Sequence, residues 1–141
     1  MRLMTVDSLT ALQRRIGDVS LPLPDGMRTP LGCDAVGMPE AFGRQVMARL
    51  PQVGCVYADG PVWWLIVPSG SEFCMDWPTP VRYATGAVVP GGRGGPRLIH
   101  RPGGTAPYTP PIPLYLTLCR ITGTVPAWMR RTPHPRRSAE R

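Results

Sequence analysis

The stretch Val62-Trp63-Trp64-Leu65-Ile66-Val67-Pro68-Ser69-Gly70 constrains the fold more than any other part of the chain. Its apolar run follows an Asp59-Gly60 turn signal and ends at Pro68 and Gly70, the pattern of the second strand of a hairpin. Adjacent residues of a strand point to opposite faces, so the two indoles cannot share one side of a sheet. One is predicted to enter a core against helices, and the other to meet the second face or a partner. The rest of the chain is predicted to cover this strand.

The first arm of the hairpin is read at residues 53–57, joined through Ala58-Asp59-Gly60-Pro61. Upstream, Pro39-Glu40 makes a good first helical turn, because the N–H that proline lacks has no partner there anyway. Met38, Phe42, Val46 and Leu50 follow at fourfold spacing, which predicts a helix from Pro39 to Leu50 behind a short strand at 33–38. Val6, Leu9, Leu12 and Ile16 recur at three- and four-residue spacing behind Asp7 or Ser8, the pattern of an amphipathic helix over 5–17 stopped by Gly17. Residues 21–32 hold too much Pro and Gly for helix or central strand and read as an extended connector turning at Pro24-Asp25-Gly26.

Downstream, residues 69–80 read as irregular. A strand is predicted at 81–83 with 86–90 as its neighbour, then a glycine loop over 90–96 and a short strand at 97–100. Residues 101–112 read as loop, and an apolar helix follows at 114–121, opened by Pro113 and ended by Gly123. The sum is an α+β chain: a small, mostly antiparallel sheet with about three helices packed on it. Its parts are an N-terminal helical segment (1–20), an α+β domain (21–128) and a disordered Arg/Pro-rich tail (129–141).

A chain of 141 residues, 43% of them hydrophobic, is long enough for one domain with a real core. Its apolar runs fall far short of the roughly 20 residues that cross a bilayer, and its N-terminus lacks the continuous apolar core of a secretory signal. A cytoplasmic protein with no membrane partner is expected. All 16 basic residues are arginine, and the formal charge is +7. Five arginines against Glu140 place +4 of it in residues 129–141, leaving +3 on the body, a distribution that favours a basic tail over a basic stripe.

Chemistry is hard to place. Cys33, Cys55, Cys74 and Cys119 form no CxxC pair, and His100 and His134 add no ligand spacing, so structural thiols and no metal or cofactor are expected. The loop at 91–95 lacks the Lys-Ser/Thr of a phosphate-binding loop and no helix follows it. Asp34, Asp59, Glu72 and Asp76 are scattered, with Asp59 a turn residue and Asp34 placed to cap a turn or hold an arginine. Pro68-Ser69-Gly70-Ser71 has no nucleophile elbow and reads as a turn. Exposed aromatics beside arginine can stack bases. Trp77, Arg82, Tyr83, Arg97 and Arg101, with the Trp63-Trp64 pair, are therefore the candidate binding surface for a protein or nucleic-acid partner.

Read together, the segment from Gly32 to Pro39, the helix after it, the run from Gly60 to Gly70, Trp77-Pro78 and Gly86-Ala87-Val88-Val89-Pro90 resemble the bifunctional DNA primase/polymerase N-terminal (prim-pol) domain family over residues 30–100. In that family a first motif ends a strand with two metal-holding acids, and Gly37 and Pro39 stand at those places here. A second motif carries a nucleotide-contacting histidine, where this chain has Val62 or Trp63. A third supplies another acid, and residues 81–85 contain none. The resemblance therefore implies a trimmed relative that binds rather than catalyses. The alternative is a metal-dependent nucleotidyltransferase in which Asp34 and Asp76 have been recruited from other places.

Overall fold

Strand β4 (Val62–Val67) lies at the centre of a five-stranded antiparallel sheet in the computed structural model, which describes residues 18–73, 75–91 and 95–130. On one side it pairs with β3 (Val56–Asp59) and on the other with β2 (Asp34–Pro39). Outside these lie β7 (Arg97–His100) next to β3 and β5 (Arg82–Ala84) next to β2, giving the order β5-β2-β4-β3-β7. A separate two-stranded ribbon joins β1 (Asp18–Ser20) to β6 (Val88–Pro90). Helices α1 (Glu40–Arg49) and α2 (Pro111–Thr122) complete the α+β architecture. These are the two α-helices among the described residues, where about three are expected from sequence; the helix predicted over 5–17 lies outside them, as do residues 131–141 of the tail and Gly92-Arg93-Gly94 of the glycine loop.

Alternation along the strands builds two cores, one on each face of the sheet. Val36, Met38, Val56, Trp63, Leu65 and Val67 point to one face and are covered by Val46 of α1 and by Leu114 and Leu118 of α2. Ala35, Tyr57, Trp64 and Ile66 point to the other, where Leu21, Ala84, Ala87 and Val89 cover them. The two indoles thus lie on opposite faces, as strand geometry requires, but neither is outward. Trp63 is 8% exposed and Trp64 is 3% exposed. An indole buries about 200 Å², which at about 25 cal/mol/Å² is an upper estimate of about 5 kcal/mol for each.

Two glycines make room for the rings. A Cβ on Gly43 of α1 would lie 2.3 Å from the Trp63 ring, and one on Gly37 of β2 would lie 2.6 Å from the Trp64 ring. The outer side of Trp63 is capped by the Arg44 guanidinium, 5.3 Å from the ring centroid, which also pairs with Glu40 one turn earlier.

The structure differs from the sequence reading at three connections. The hairpin is tighter than predicted, since Asp59 pairs with Val62 and only Gly60 and Pro61 remain in the turn. Residues 86–90 do not neighbour β5: a 3-10 turn at Thr85–Ala87 redirects the chain so that Val89 pairs with Val19 of β1 instead. Helix α2 begins at Pro111, two residues before the predicted Pro113, because prolines are tolerated throughout a first helical turn. Strand β1 also joins the folded body, in a segment that the sequence reading assigns to an N-terminal helical region.

Candidate functional site

Gly37 of β2 lies in register between Trp64 of β4 and Arg82 of β5, while Pro39 is opposite Val62 and Met38 opposite Trp63. The first two chemical positions of the resemblance, 37 and 39 with 62 and 63, are therefore side by side on adjacent strands, and the third segment, at β5, borders them. A small cleft of about 210 Å³ opens there, lined by Pro39, Pro61, Val62, Pro80 and Arg82 among others, with no carboxylate among its described lining residues, and an adjoining cleft of about 460 Å³ shares Pro61, Val62 and Arg82 and has Asp59 in its wall.

Asp34 is the one buried carboxylate among the described residues. Its Oδ2 accepts the Gly70 N–H at 2.9 Å and the Tyr83 hydroxyl, and its Oδ1 accepts the Gly86 N–H at 2.7 Å. One side chain thus ties the start of β2 to the end of the β4 segment and to the turn after β5. It caps turns, one of the two roles open to it in the sequence. Burial, then the Asp34 hydrogen bond and the charges of Asp34 and Glu72, push the Tyr83 phenol well above its ordinary range, so it stays a proton donor to this carboxylate. Asp76 is exposed and pairs with Arg130 at 3.0 Å. Asp59 closes the hairpin.

The predicted surface is divided rather than assembled. Trp63 and Trp64 are interior. Trp77 and Tyr83 do meet, at 6.2 Å between centroids, and continue through Tyr115, 5.2 Å from Trp77, to Trp128, 5.3 Å from Tyr115. Trp128, which the sequence reading passes over, is 48% exposed and is the open end of this aromatic row. Arg82 belongs to one edge strand, whereas Arg97 and Arg101 belong to or follow the other. Four interstrand steps of about 4.8 Å put the two edges about 19 Å apart.

Three of the four thiols lie among the described residues, and these pack into the fold. Cys55 and Cys119 are buried and Cys33 half-buried, and burial raises all three above the ordinary thiol range. Among the described residues no cluster of three or more His, Cys, Asp or Glu side chains is placed to hold a metal ion. The Ser71 hydroxyl donates to the Pro68 carbonyl at 2.6 Å, the turn expected there. No helix among the described residues is long and apolar enough to cross a membrane.

A cleft of about 740 Å³ lies between the end of α1 and the segment after β7. Leu50 and Val53 form one side and the segment from His100 to Thr105 the other. The chain that continues from it, Thr105 to Thr109, is firmly seated. Gly54 donates to the buried Thr109 hydroxyl at 2.8 Å, Cys55 N–H to the Pro107 carbonyl at 2.9 Å, and Arg28 N–H to the Thr105 carbonyl at 2.9 Å. The chain crosses so closely that a Cβ on Gly54 would lie 2.0 Å from the Pro107 oxygen. The available signal in sequence was His100-Arg101 followed by two adjacent glycines, too common a pattern to single out.

No family model, curated protein or solved structure matches the chain.

Proposed function

We propose that this chain is a catalytically silent binding module shaped like the prim-pol N-terminal domain, acting on a protein or nucleic-acid partner. The observation that carries the reading is the register of β2 against β4 and β5. It sets the positions compared with that family's acids and histidine next to one another, and fills them with Gly37, Pro39, Val62 and the buried Trp63. Aligning a hydroxyl with a triphosphate takes two cations held by converging carboxylates. The cleft at this point has apolar walls and Arg82 among its described lining residues, and a single carboxylate, Asp59, lines the cleft next to it, too few to hold two cations. The carboxylates that the enzyme alternative would recruit are engaged elsewhere, Asp34 in three hydrogen bonds and Asp76 with Arg130. The arginines of residues 129–141 would add sequence-independent attraction to phosphates.

The test pairs an activity with a retention measurement on the full chain. Incubation with magnesium, nucleoside triphosphates and a primed DNA template is expected to give no incorporation above a protein-free control. Retention on DNA is expected to fall steeply with salt, and to drop further when Arg131, Arg136, Arg137 and Arg141 are changed together to Gln. Magnesium-dependent incorporation that Asp76→Ala abolishes would overturn the reading and restore the nucleotidyltransferase. Absence of DNA retention by the native chain would leave a protein as the partner.

A further inference from the structure

The direction of β1 fixes where the chain before it lies. In the β1-β6 ribbon Asp18 is opposite Pro90 and Ser20 opposite Val88, so β1 runs away from Pro90 and the residue before Asp18 stands at the Gly91 end of the ribbon. Pro90 and Gly91 also line the cleft of about 460 Å³ beside the β3-β4 turn. Ile16 is two residues from Asp18, at most about 7 Å of chain, and paired strands lie about 5 Å apart, which holds its Cα within about 12 Å of the Pro90 Cα.

The wall there suits apolar side chains. Pro61, Val62, Trp64 and Pro90 line it, with Asp59 and Arg82 adding one charge of each sign, a balance that draws no small ion. Val88, on the same outward face of the ribbon as Pro90, is 44% exposed. Residues 5–17 lie outside the described residues, and their sequence pattern of Val6, Leu9, Leu12 and Ile16 makes an apolar stripe that calls for a partner. Gly17 suits the left-handed turn by which a chain leaves a helix and changes direction. A helix of this length is marginal alone in water and gains its stability when its stripe is buried.

We infer that residues 5–17 dock as a helix on this cleft, setting Leu9, Leu12 and Ile16 against the wall of Pro61, Val62 and Pro90. Tethering selects this occupant. A second copy of the chain, or another protein, loses translational and rotational freedom on binding, whereas a segment joined through Gly17 alone is already present at an effective concentration of about millimolar. The adjoining cleft at Gly37 shares Pro61, Val62 and Arg82, so the docked helix is a built-in cover that a partner at that place has to displace. The docking rests on chain direction and apolar walls, not on the prim-pol-like reading, and its failure would leave the incorporation and DNA-retention results as they stand.

Photocross-linking and hydrogen exchange of the full-length protein test the docking. A benzophenone amino acid in place of Gln13, beside the stripe, is expected to join, within one chain, a residue of the cleft wall (59–64, 82 or 90–91), located by fragment-ion mass spectrometry. Amides of residues 9–16 are expected to exchange at least about tenfold more slowly than in a Leu9→Asp/Leu12→Asp double variant, while the amides of β2 and β4 exchange alike in the two proteins. Cross-links elsewhere on the chain or none at all, cross-links between chains that make a second copy the occupant, or equal exchange of residues 9–16 in the two proteins would each overturn the assignment. If the double variant does not fold, the cross-link map decides it.

Discussion

The two faces of the central sheet bury an indole each and do so by different means. On the Trp63 face the cover is two regular helices, and the contacts repeat at helical spacing from Val46 to Leu114 and Leu118. On the Trp64 face the cover is Leu21, the turn at Ala87 and the β1-β6 ribbon, none longer than three residues of regular structure. Equal burial therefore does not imply equal construction. A helix satisfies its own backbone as it packs, whereas irregular cover must find each partner separately. That is why the loop-covered side of this molecule is tied by hydrogen bonds between separate segments: the Tyr57 hydroxyl to the Pro22 carbonyl, Leu21 N–H to the Ala87 carbonyl, and the Tyr108 hydroxyl to the Gly32 carbonyl.

Truncating the indoles tests this equivalence most severely. Trp63→Ala and Trp64→Ala are each expected to cost about 3–5 kcal/mol by denaturant unfolding. A cost below about 1 kcal/mol for Trp64→Ala alone would mean that the loop cover is a loose lid, and the comparison would fail. Glycines sharpen it at the next level. Gly54→Ala sets a new Cβ against backbone and is expected to cost about 3 kcal/mol or more. Gly43→Ala gains about 1 kcal/mol of helix propensity, yet its Cβ meets a packed ring, so a net loss of about 1–3 kcal/mol is expected. A stabilised Gly43→Ala would show that the Trp63 ring can shift.

The smallest effect is electrostatic. The phenol of Tyr83 has its proton affinity raised above the ordinary 10.0, chiefly by burial and then by Asp34. The folded state therefore holds this proton more tightly than the unfolded chain does. Its stabilisation is complete below about pH 10 and lost as pH rises further. Tyr83→Phe is expected to cost about 1–2 kcal/mol at neutral pH and to lose less stability between neutrality and alkaline pH than the native chain. Identical alkaline profiles would remove Tyr83 from that account. Tyr57, shifted in the same direction by burial, continues to contribute in both.

Legibility in the sequence followed the same division. Helix α1 and the β3-β4 hairpin could be read because their signals are local: Pro39-Glu40 with a fourfold apolar repeat, and a turn between two apolar runs. The pairing of β6 could not, since Val88-Val89-Pro90 reads equally well as a partner for any strand. What decides it is the turn at Gly86, held by a carboxylate 52 residues away. The same holds for Trp64. Its period placed it opposite Trp63, but what covers it is drawn from residues 21 to 89, a span that no periodic signal reports. The cleft beside His100 was invisible for a related reason: it is made by a crossing of chain segments, not by a motif.

The middle position of β4 has a consequence for solubility. Val62–Val67 is a six-residue run without charge, proline or glycine, the kind of segment that stacks into cross-β assemblies when its backbone is free. Here it is hydrogen-bonded along both edges, to β2 and β3, and the strands exposed at the rim are short. Pro96 and Pro102 bracket β7, and a register shift at Val56 and Tyr57 disturbs its pairing with β3. The chain places its most self-adhesive sequence where no second copy can reach it, and presents edges too brief and too irregular for another strand to extend.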